Sequence, residues 1–316
     1  MPKVSVIIPT YNRSHLLPRA VASARTAGTD MEIVVVDNGC TDDTAKVCEQ
    51  LPDIRYVRLD RNAGPGGGRN AGIEASSGPY IAFLDDDDMR LPGSLDLQVE
   101  ALEADPGASF IYGKALRADE NCVPVGMVDP DECPQGDIFW WLLKLPTIPC
   151  VSVVVRRTSL ATTGLFDQTL ACADDWDLWI RLAERFRVLA SPAPVGIYRA
   201  ASTAANNTTS NFALAYKTAI SIQTRGLQLE RAKAAPWRLR RSTRRHLLNR
   251  ASDVLIWTAA DALENGLWEI GRASILEAIR LNPSRALRLW TLKLLSRSLV
   301  SRGRANSASG SIINPL

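Results

Sequence analysis

The chain contains a run of four consecutive aspartates, Asp85–Asp88, which directly follows five apolar or aromatic residues, Tyr80–Leu84. A continuous run of this kind is typical of a strand that is buried on both faces of a parallel sheet. Four carboxylates at the end of such a strand repel one another, and a divalent cation relieves that repulsion. The junction therefore predicts a buried strand that ends in an acidic site. A solvated acidic turn is the alternative.

Strand and helix signals alternate over roughly the first 115 residues. Apolar or β-branched runs at Val4–Pro9, Glu32–Asp37 and Ile54–Leu59 precede the run that ends in the aspartates, and helical segments separate them. This alternation predicts an α/β fold with a parallel sheet covered by helices. Between the third and fourth strands, Gly64–Gly68 is expected to form a glycine-rich turn that leads into a helix near residues 70–76.

The pattern changes after about residue 106, where short strands mix with helices. Residues 202–211 are rich in Asn, Thr, Ser and Ala and indicate a loop, and helix-forming sequence follows to about residue 302. We therefore expect a sheet-based domain over residues 1–204, a helical C-terminal region over residues 205–302 and a disordered tail over residues 303–316.

Composition restricts the chemistry. Only two histidines, His15 and His246, occur in 316 residues, and neither lies in a signature of nucleophilic catalysis. Any metal would therefore be held mainly by oxygen ligands, which favours Mg²⁺ or Mn²⁺ over zinc or copper. Any general base would be a carboxylate. The net charge of +3 is too small to indicate a nucleic-acid partner.

Several features suggest a cytoplasmic protein. The six cysteines form no CxxC pair and are interpreted as reduced thiols. The N-terminal apolar run has no preceding charged region and no cleavage site, so we interpret it as a buried strand and not as a signal peptide. No uninterrupted apolar stretch reaches the ~20 residues that a membrane-spanning helix needs.

Three predicted strands end in residues suited to ligand binding. The first ends in Pro9-Thr10-Tyr11-Asn12, the second in Asp37-Asn38-Gly39 and the fourth in the aspartates. Ligands of parallel α/β sheets bind beyond the carboxyl ends of the strands. We expect Tyr11 to stack on a flat ring and Asp37 to accept hydrogen bonds from a base or ribose. Arg69, in the glycine-rich segment, is expected near the phosphates of a nucleotide sugar or paired with the acid cluster.

A second acidic site is predicted at the start of a helix that includes residues 174–182. At about 100° per residue, Asp174 and Asp177 fall on the polar face, whereas Asp175 falls near the middle of the apolar face. Capping of the helix N-terminus explains Asp174. A carboxylate that faces the interior needs a partner or a task, and partial burial would raise its pKa from about 3.9 towards a useful range for a general base. Asp175 is therefore a candidate base, with capping as the alternative.

Four stretches together resemble family 2 of the inverting glycosyltransferases, which have the GT-A fold. They are VSVIIPTYNR (4–13), EIVVVDNGCTDDT (32–44), GGGRNAGIEASSGPYIAFLDDDD (66–88) and DDWDLWIRLAERF (174–186). The resemblance spans roughly the first 200 residues, and the order and spacing of the motifs agree with the family. It implies a GT-A-type parallel or mixed sheet flanked by helices. It also implies an enzyme that transfers a sugar from a nucleoside diphosphate carrier to an acceptor hydroxyl with inversion.

The resemblance implies roles for residues at the strand ends. Pro9 and Tyr11 would line the nucleotide pocket, and Asp37 would bind the base. Asp85 and Asp87 would form the family's D-x-D element. Within the aspartate run, we assign Asp85 and Asp86 to the binding of the nucleotide sugar.

Asp87 is assigned to a Mn²⁺ or Mg²⁺ ion, and the run of four also permits Asp86 with Asp88 as the D-x-D pair. Asp175 would match the acid of the family's Glu-Asp motif that deprotonates the acceptor hydroxyl. The chain departs from the family at Asp174, where the family often has Glu, and Asp174 stays the alternative to Asp175 as the base.

The donor is expected to be a UDP-sugar, because the family often uses such donors, and the acceptor a carbohydrate or a lipid-linked molecule. A nucleotidyltransferase is one alternative, but it usually needs a basic glycine-rich loop after the first strand, where this chain has Pro-Thr-Tyr-Asn. A non-catalytic carbohydrate-binding protein with a degenerate fold is another, and the intact acids argue against it.

The segment 285–304 combines Trp290 and several leucines with arginines. It predicts either an interfacial basic helix that contacts the inner face of a membrane or an ordinary helix that packs on the domain. The same helices are candidates for oligomerisation, and the oligomeric state stays open.

Overall fold

The four predicted N-terminal strands form one side of a nine-stranded sheet in the computed structural model, which describes residues 1–144, 148–199 and 212–288. They are β1 (Val4–Thr10), β2 (Met31–Asp37), β3 (Ile54–Arg58) and β4 (Tyr80–Phe83). All three pairings in the order β3-β2-β1-β4 are parallel. Every residue of β4 is buried, as its continuous apolar sequence predicts.

The other side of the sheet makes it mixed. From β4 the order continues as β8 (Val153–Arg156), β6 (Ala108–Ala118), β9 (Arg187–Arg199) and β5 (Met89–Arg90), and β8 is antiparallel to both of its neighbours. A further strand, β7, pairs with β6. The predicted sheet of parallel or mixed type, flanked by helices, is confirmed. The elements after β4 are β5 (Met89–Arg90), α4 (Ser94–Ala104), β6 (Ala108–Ala118), β7 (Pro124–Asp129), α5 (Phe139–Leu142), β8 (Val153–Arg156), α6 (Arg157–Thr163), α7 (Asp174–Arg185) and β9 (Arg187–Arg199).

Helices α1 (Leu17–Ala27), α2 (Thr44–Glu49) and α3 (Gly64–Ala75) connect the parallel strands. Apolar residues of α1 belong to one core cluster with side chains of β1, including Val6 and Ile8. The neighbouring Ile7 points to the opposite face of the sheet, because side chains alternate along a strand. Helix α3 covers that face, so β1 is buried on both sides.

The glycine-rich segment is a helix and not the turn that the sequence predicts. Helix α3 begins at Gly64 and has a proline in its first turn, a position that suits the fixed backbone angle of proline. The glycines allow the helix to approach the sheet closely. A Cβ atom on Gly68 would lie 3.1 Å from Cβ of Pro9, and one on Gly72 would lie 2.2 Å from Cγ2 of Ile7.

The chain divides into two units, residues 1–210 with 222–234 and residues 211–221 with 235–316. The described part of the second unit is helical, with α10 (Trp237–Glu264), α11 (Trp268–Leu281) and α12 (Pro283–Ala286). The division falls within α8 (Phe212–Gly226), and the following α9 (Glu230–Ala234) groups with the first unit. The helical C-terminal region is confirmed, whereas the domain limits at residues 204 and 302 stay predictions.

Two expectations about the C-terminus concern residues that the structure does not describe. The predicted tail, residues 303–316, and most of the basic segment 285–304 lie outside the described residues. Within the described ranges, no helix is long and apolar enough to cross a membrane.

Replacing Gly72 with Ala is expected to destabilise the fold, because the new methyl group would overlap Ile7 and displace α3 from the sheet. Overpacking of this kind costs about 1–3 kcal/mol, and most of this range outweighs the gain of about 1 kcal/mol from the better helix propensity of Ala. Urea unfolding measures the difference. Glu74→Ala, at an exposed position of the same helix, is the control and should change the stability by less than about 0.5 kcal/mol. Equal stability of the two variants would contradict the packing.

Candidate active site

The carboxyl ends of β1, β2 and β4 meet at one edge of the sheet, as the sequence predicts. Thr10, the last residue of β1, is in register with Asp37, the last residue of β2. The hydroxyl group of Thr10 donates a 2.7 Å hydrogen bond to Oδ2 of Asp86. The first strand is therefore linked directly to the aspartate run.

Asp37 is fully buried, and its carboxylate has a fixed orientation. Oδ1 accepts a 2.7 Å hydrogen bond from the backbone amide of Cys40, and Oδ2 accepts a 2.6 Å bond from the hydroxyl of Tyr56. Nη1 of Arg58 lies 3.6 Å from the same Oδ2. Burial and the bond to Asp37 raise the pKa of Tyr56 to about 12, so this phenol stays a donor at neutral pH. Tyr56 and Arg58, on β3, were not identified from the sequence.

Tyr11 presents an exposed ring at this edge, with 45% of its surface accessible, and Pro9 is partly exposed. The loop after β1 is fixed by Asn12, which has a positive φ of 53°. Its Oδ1 atom accepts a 2.8 Å hydrogen bond from the backbone amide of Thr41. The loops that follow β1 and β2 are thus joined, which places the ring of Tyr11 beside the strand ends.

The four aspartates differ in exposure. The side chains of Asp85 and Asp87 are 34% and 12% exposed, whereas that of Asp86 is 4% exposed and Asp88 as a residue is 1% exposed. Burial, opposed by Arg13 and supported by the neighbouring Asp87, raises the pKa of Asp86 to about 7. Burial also raises the pKa of Asp88 well above its usual range. Asp85 and Asp87 are therefore the members of the run best placed to meet a ligand.

Two arginines partly neutralise the run. Nη1 of Arg13 lies 3.1 Å from Oδ1 of Asp86 and 3.1 Å from Oδ2 of Asp87. Nη2 of Arg199 donates a 2.9 Å bond to the same Oδ2 of Asp87, and the backbone amide of Arg199 donates to Asp88 at 2.9 Å. Arg199 ends β9, far from the aspartates in sequence, and no motif identified it.

Arg69 connects the two acidic sites. It is 5% exposed; its Nη2 donates a 2.7 Å bond to Asp85 and its Nη1 a 2.9 Å bond to Asp174. Its guanidinium carbon also lies 5.4 Å from the ring centroid of Phe166. One of the two expected placements of Arg69, pairing with the acid cluster, is confirmed. The position of Arg69 relative to substrate phosphates stays a prediction.

At the start of α7, the buried acid is not the one that the helical wheel predicts. Asp174 is 4% exposed and faces Arg69, whereas Asp175 is partly exposed. Asp177 is buried too, since Arg181 and Arg225 contact it at 2.8 and 2.9 Å. The wheel assigned faces from the apolar residues alone and took no account of arginines that reach the first turn from other elements.

The raised pKa expected for Asp175 is confirmed. Although Asp175 as a residue is partly exposed, desolvation by the surrounding protein and the nearby charge of Asp174 raise its pKa to about 7. The positive charge of Arg69 and a 2.7 Å hydrogen bond from the backbone amide of Trp176 partly offset this rise. Asp175 therefore titrates in the range where a general base is most effective at neutral pH.

The acids at the strand ends offer carboxylate oxygens, which are the ligands that a hard divalent cation prefers. Among the residues that the structure describes, no group of three or more His, Cys, Asp or Glu side chains is arranged to hold a metal. Mg²⁺ and Mn²⁺, however, are commonly bound through one or two carboxylates together with substrate phosphates. Asp85 and Asp87 offer only carboxylate oxygens and are the more exposed acids of the run.

Comparison with known proteins agrees with this site. The model of glycosyl transferase family 2 matches residues 5–158, which contain the three strand ends, Arg69 and the aspartate run. Just under half of the chain thus matches this family. The acids of α7 lie beyond the matched region.

One relative is a Campylobacter jejuni enzyme named GalNAc(5)-diNAcBac-PP-undecaprenol beta-1,3-glucosyltransferase. It is 39% identical over 128 residues, which cover 38% of this chain and 40% of the relative. This chain spans 26–40% of the length of the first three curated relatives that it matches.

Two solved structures share the fold. S. aureus TarS 1-349, in complex with UDP-GlcNAc, aligns with a TM-score of 0.62 and 18% identity over 90% of this chain and 82% of that chain. A mannosyltransferase from Pyrobaculum calidifontis, in complex with GDP-Man and Mn²⁺, aligns with a TM-score of 0.57 and 16% identity over 95% and 80%. The GT-A-type fold expected of a family 2 glycosyltransferase is confirmed.

Replacing Arg69 with Met is expected to destabilise the first unit by about 3–5 kcal/mol at pH 8, because Asp174 would remain buried and charged without its partner. Thermal and urea unfolding measure the loss. Adding Asp174→Asn to the same variant removes the unpaired charge and should restore part of the stability. Arg185→Met, at an exposed arginine of α7, is the matched control and should change little. An Arg69→Met variant as stable as this control would contradict the bridge.

Proposed function

We propose that this chain is an inverting glycosyltransferase that moves a sugar from a nucleoside diphosphate carrier to an acceptor hydroxyl in a single displacement. The observation that carries the proposal is the bridge of Arg69, which holds the D-x-D acid Asp85 and the α7 acid Asp174 at 2.7 and 2.9 Å. A donor bound at the strand ends would therefore lie beside Asp175. The intact acids of both sites argue against a degenerate, non-catalytic fold.

Asp175 is the proposed base. With its pKa raised to about 7, it is ionised for a large part of the time at neutral pH and still basic enough to accept a proton. The acceptor oxygen forms a bond to the anomeric carbon while the bond from that carbon to the diphosphate oxygen breaks. The acceptor proton moves to Asp175, and the nucleoside diphosphate leaves with the electron pair. Attack opposite the leaving group inverts the anomeric configuration.

The donor would bind along the carboxyl edge of the sheet. Pro9 and Tyr11 would line the nucleotide pocket, and Asp37, held by Tyr56, would accept a hydrogen bond from the base. A UDP-sugar is the proposed donor. The TarS complex with UDP-GlcNAc supports a nucleotide sugar in this fold, and the P. calidifontis complex shows that such a fold also accepts GDP-Man.

Asp87 would hold a divalent cation, Mn²⁺ or Mg²⁺, with Asp85 on the side of the nucleotide sugar. Asp86, which the sequence assigned to the sugar nucleotide, is buried against Thr10 and Arg13 and would support the site from behind. When bound, such an ion stabilises negative charge on the departing diphosphate. The Mn²⁺ in the P. calidifontis complex supports a metal in this fold. Arg13 and Arg199 meanwhile limit the mutual repulsion of the carboxylates through their contacts with Asp87.

The proposed acceptor is a lipid-linked carbohydrate in the synthesis of a cell-envelope polysaccharide or glycan. The C. jejuni relative acts, by its name, on a saccharide attached to undecaprenol through a diphosphate. An acceptor of this class would bring a cytoplasmic enzyme to the inner face of the membrane.

Replacing Asp175 with Asn should leave donor binding intact and abolish transfer, because the amide cannot take the acceptor proton. In the parent protein, kcat/KM should fall about tenfold per pH unit below a midpoint near pH 7, since only the ionised base is active. Release of the nucleoside diphosphate in the presence of acceptor measures both effects. Glu184→Gln, in the same helix, is the matched control. Full transfer by the Asp175→Asn variant would exclude Asp175 as the base.

A thermal-shift screen of nucleoside diphosphates and their sugars, with and without Mn²⁺, tests the donor site. We expect one nucleotide to raise the melting temperature in a metal-dependent manner, because a ligand that binds only the folded state stabilises it. Asp87→Ala should remove the metal-dependent part of the shift. Asp43→Ala, at an exposed aspartate in the loop before α2, should retain it. No shift from any nucleotide would contradict the donor site.

A further inference from the structure

A cationic face covers the exposed side of the first turns of α10. We define this cationic face by Trp237, Arg238, Arg241 and Arg245, all of which are exposed. Arg238, Arg241 and Arg245 follow Trp237 by one, four and eight positions, which places all four residues on one side of the helix. The other side is buried, as Leu247 at 0% exposure shows. This face is therefore a surface of the second unit.

The cationic face contains no acidic residue. Residues 237–252 include six arginines and no Asp or Glu. The ion pair that Asp253 of α10 forms with Arg285 lies beyond this face. Like charges on adjacent turns repel one another, so a face of this kind is more stable against an anionic partner.

Trp237, the first residue of α10, belongs to the cationic face and is 62% exposed. The guanidinium carbons of Arg238 and Arg241 lie 5.8 and 6.0 Å from its ring centroid. An exposed indole among arginines is the combination found in helices that lie at the interface of an anionic bilayer, where the ring sits at the headgroup level and the cations meet phosphates. The geometry points to one occupant: we propose that the cationic face binds the surface of a bilayer that contains anionic phospholipid.

Other segments of the same chain fit this face poorly. A second copy would present the same positive charge in a symmetric contact and would be repelled. The basic segment 285–304 has arginines at positions 285, 288, 297, 302 and 304 and would be repelled as well. The choice of a bilayer over a nucleic acid rests in part on the proposed lipid-linked acceptor. The small net charge of +3 also disfavours a nucleic acid.

The test is co-sedimentation of the full chain with vesicles of phosphatidylcholine alone or of phosphatidylcholine with phosphatidylglycerol, at about 0.05 M and about 0.5 M NaCl. Binding should require phosphatidylglycerol and weaken strongly at the higher salt. R238Q/R241Q/R245Q should lower the partition coefficient on the order of 100-fold at low salt. Each basic residue near an anionic surface contributes about 1 kcal/mol, and about 1.4 kcal/mol corresponds to a factor of ten.

Two further variants separate charge from insertion. K46Q/R55Q/R272Q removes the same charge at scattered exposed positions and should bind vesicles nearly as the parent does. Trp237→Ala should weaken binding while the dependence on salt remains. Thermal unfolding of each variant confirms that it is folded.

The inference is overturned if the full chain ignores phosphatidylglycerol vesicles at low salt. It is equally overturned if the two triple variants bind alike, or if a single-stranded oligonucleotide binds through the cationic face while vesicles do not. Vesicle binding by the Asp175→Asn variant tests this inference independently of the proposed transfer activity. That variant should bind as the parent does, and R238Q/R241Q/R245Q should keep the thermal shift with the donor nucleotide.

Discussion

The candidate active site depends on one buried guanidinium. Arg69 extends from α3 and pairs with Asp85, at the end of β4, and with Asp174, at the start of α7. Without it, two acids from distant parts of the chain would repel one another in a region of low water access, and α7 would lose the charged link that Arg69 makes to the end of β4. The glycines of α3 make the bridge geometrically feasible, because they allow this helix to lie close enough to β1 for Arg69 to reach both acids.

The same bridge assigns different roles to neighbouring carboxylates. Asp174 forms an ion pair with Arg69, which fixes its side chain, whereas Asp175 has a raised pKa and is partly exposed. In the aspartate run, Asp86 is held by Thr10 and Arg13, and Asp85 and Asp87 remain the more exposed members. Adjacent residues thus divide into acids that stabilise the site and acids that face a substrate.

Much of the fold and part of the site were predictable from the sequence. The continuous apolar runs of β1, β2 and β4 identified buried strands, and the carboxyl-end rule brought Tyr11, Asp37 and the aspartates to one edge. The contributions of Tyr56, Arg199 and Arg225 were not predictable, because each reaches the site from an element with no recognisable motif. The burial of Asp174 in place of Asp175 was missed for a related reason. A helical wheel records the residues of one helix and not the arginine that arrives from another.

The central claim is that the strand-end acids and Asp175 flank one bound donor. A crystal structure of the Asp175→Asn variant with its donor sugar nucleotide and Mn²⁺ tests it most directly. The diphosphate and the metal should lie at Asp85 and Asp87, and the anomeric carbon should face the side chain at position 175 with space for an acceptor oxygen between them. A nucleotide bound away from the strand ends, or a sugar turned away from position 175, would contradict the claim.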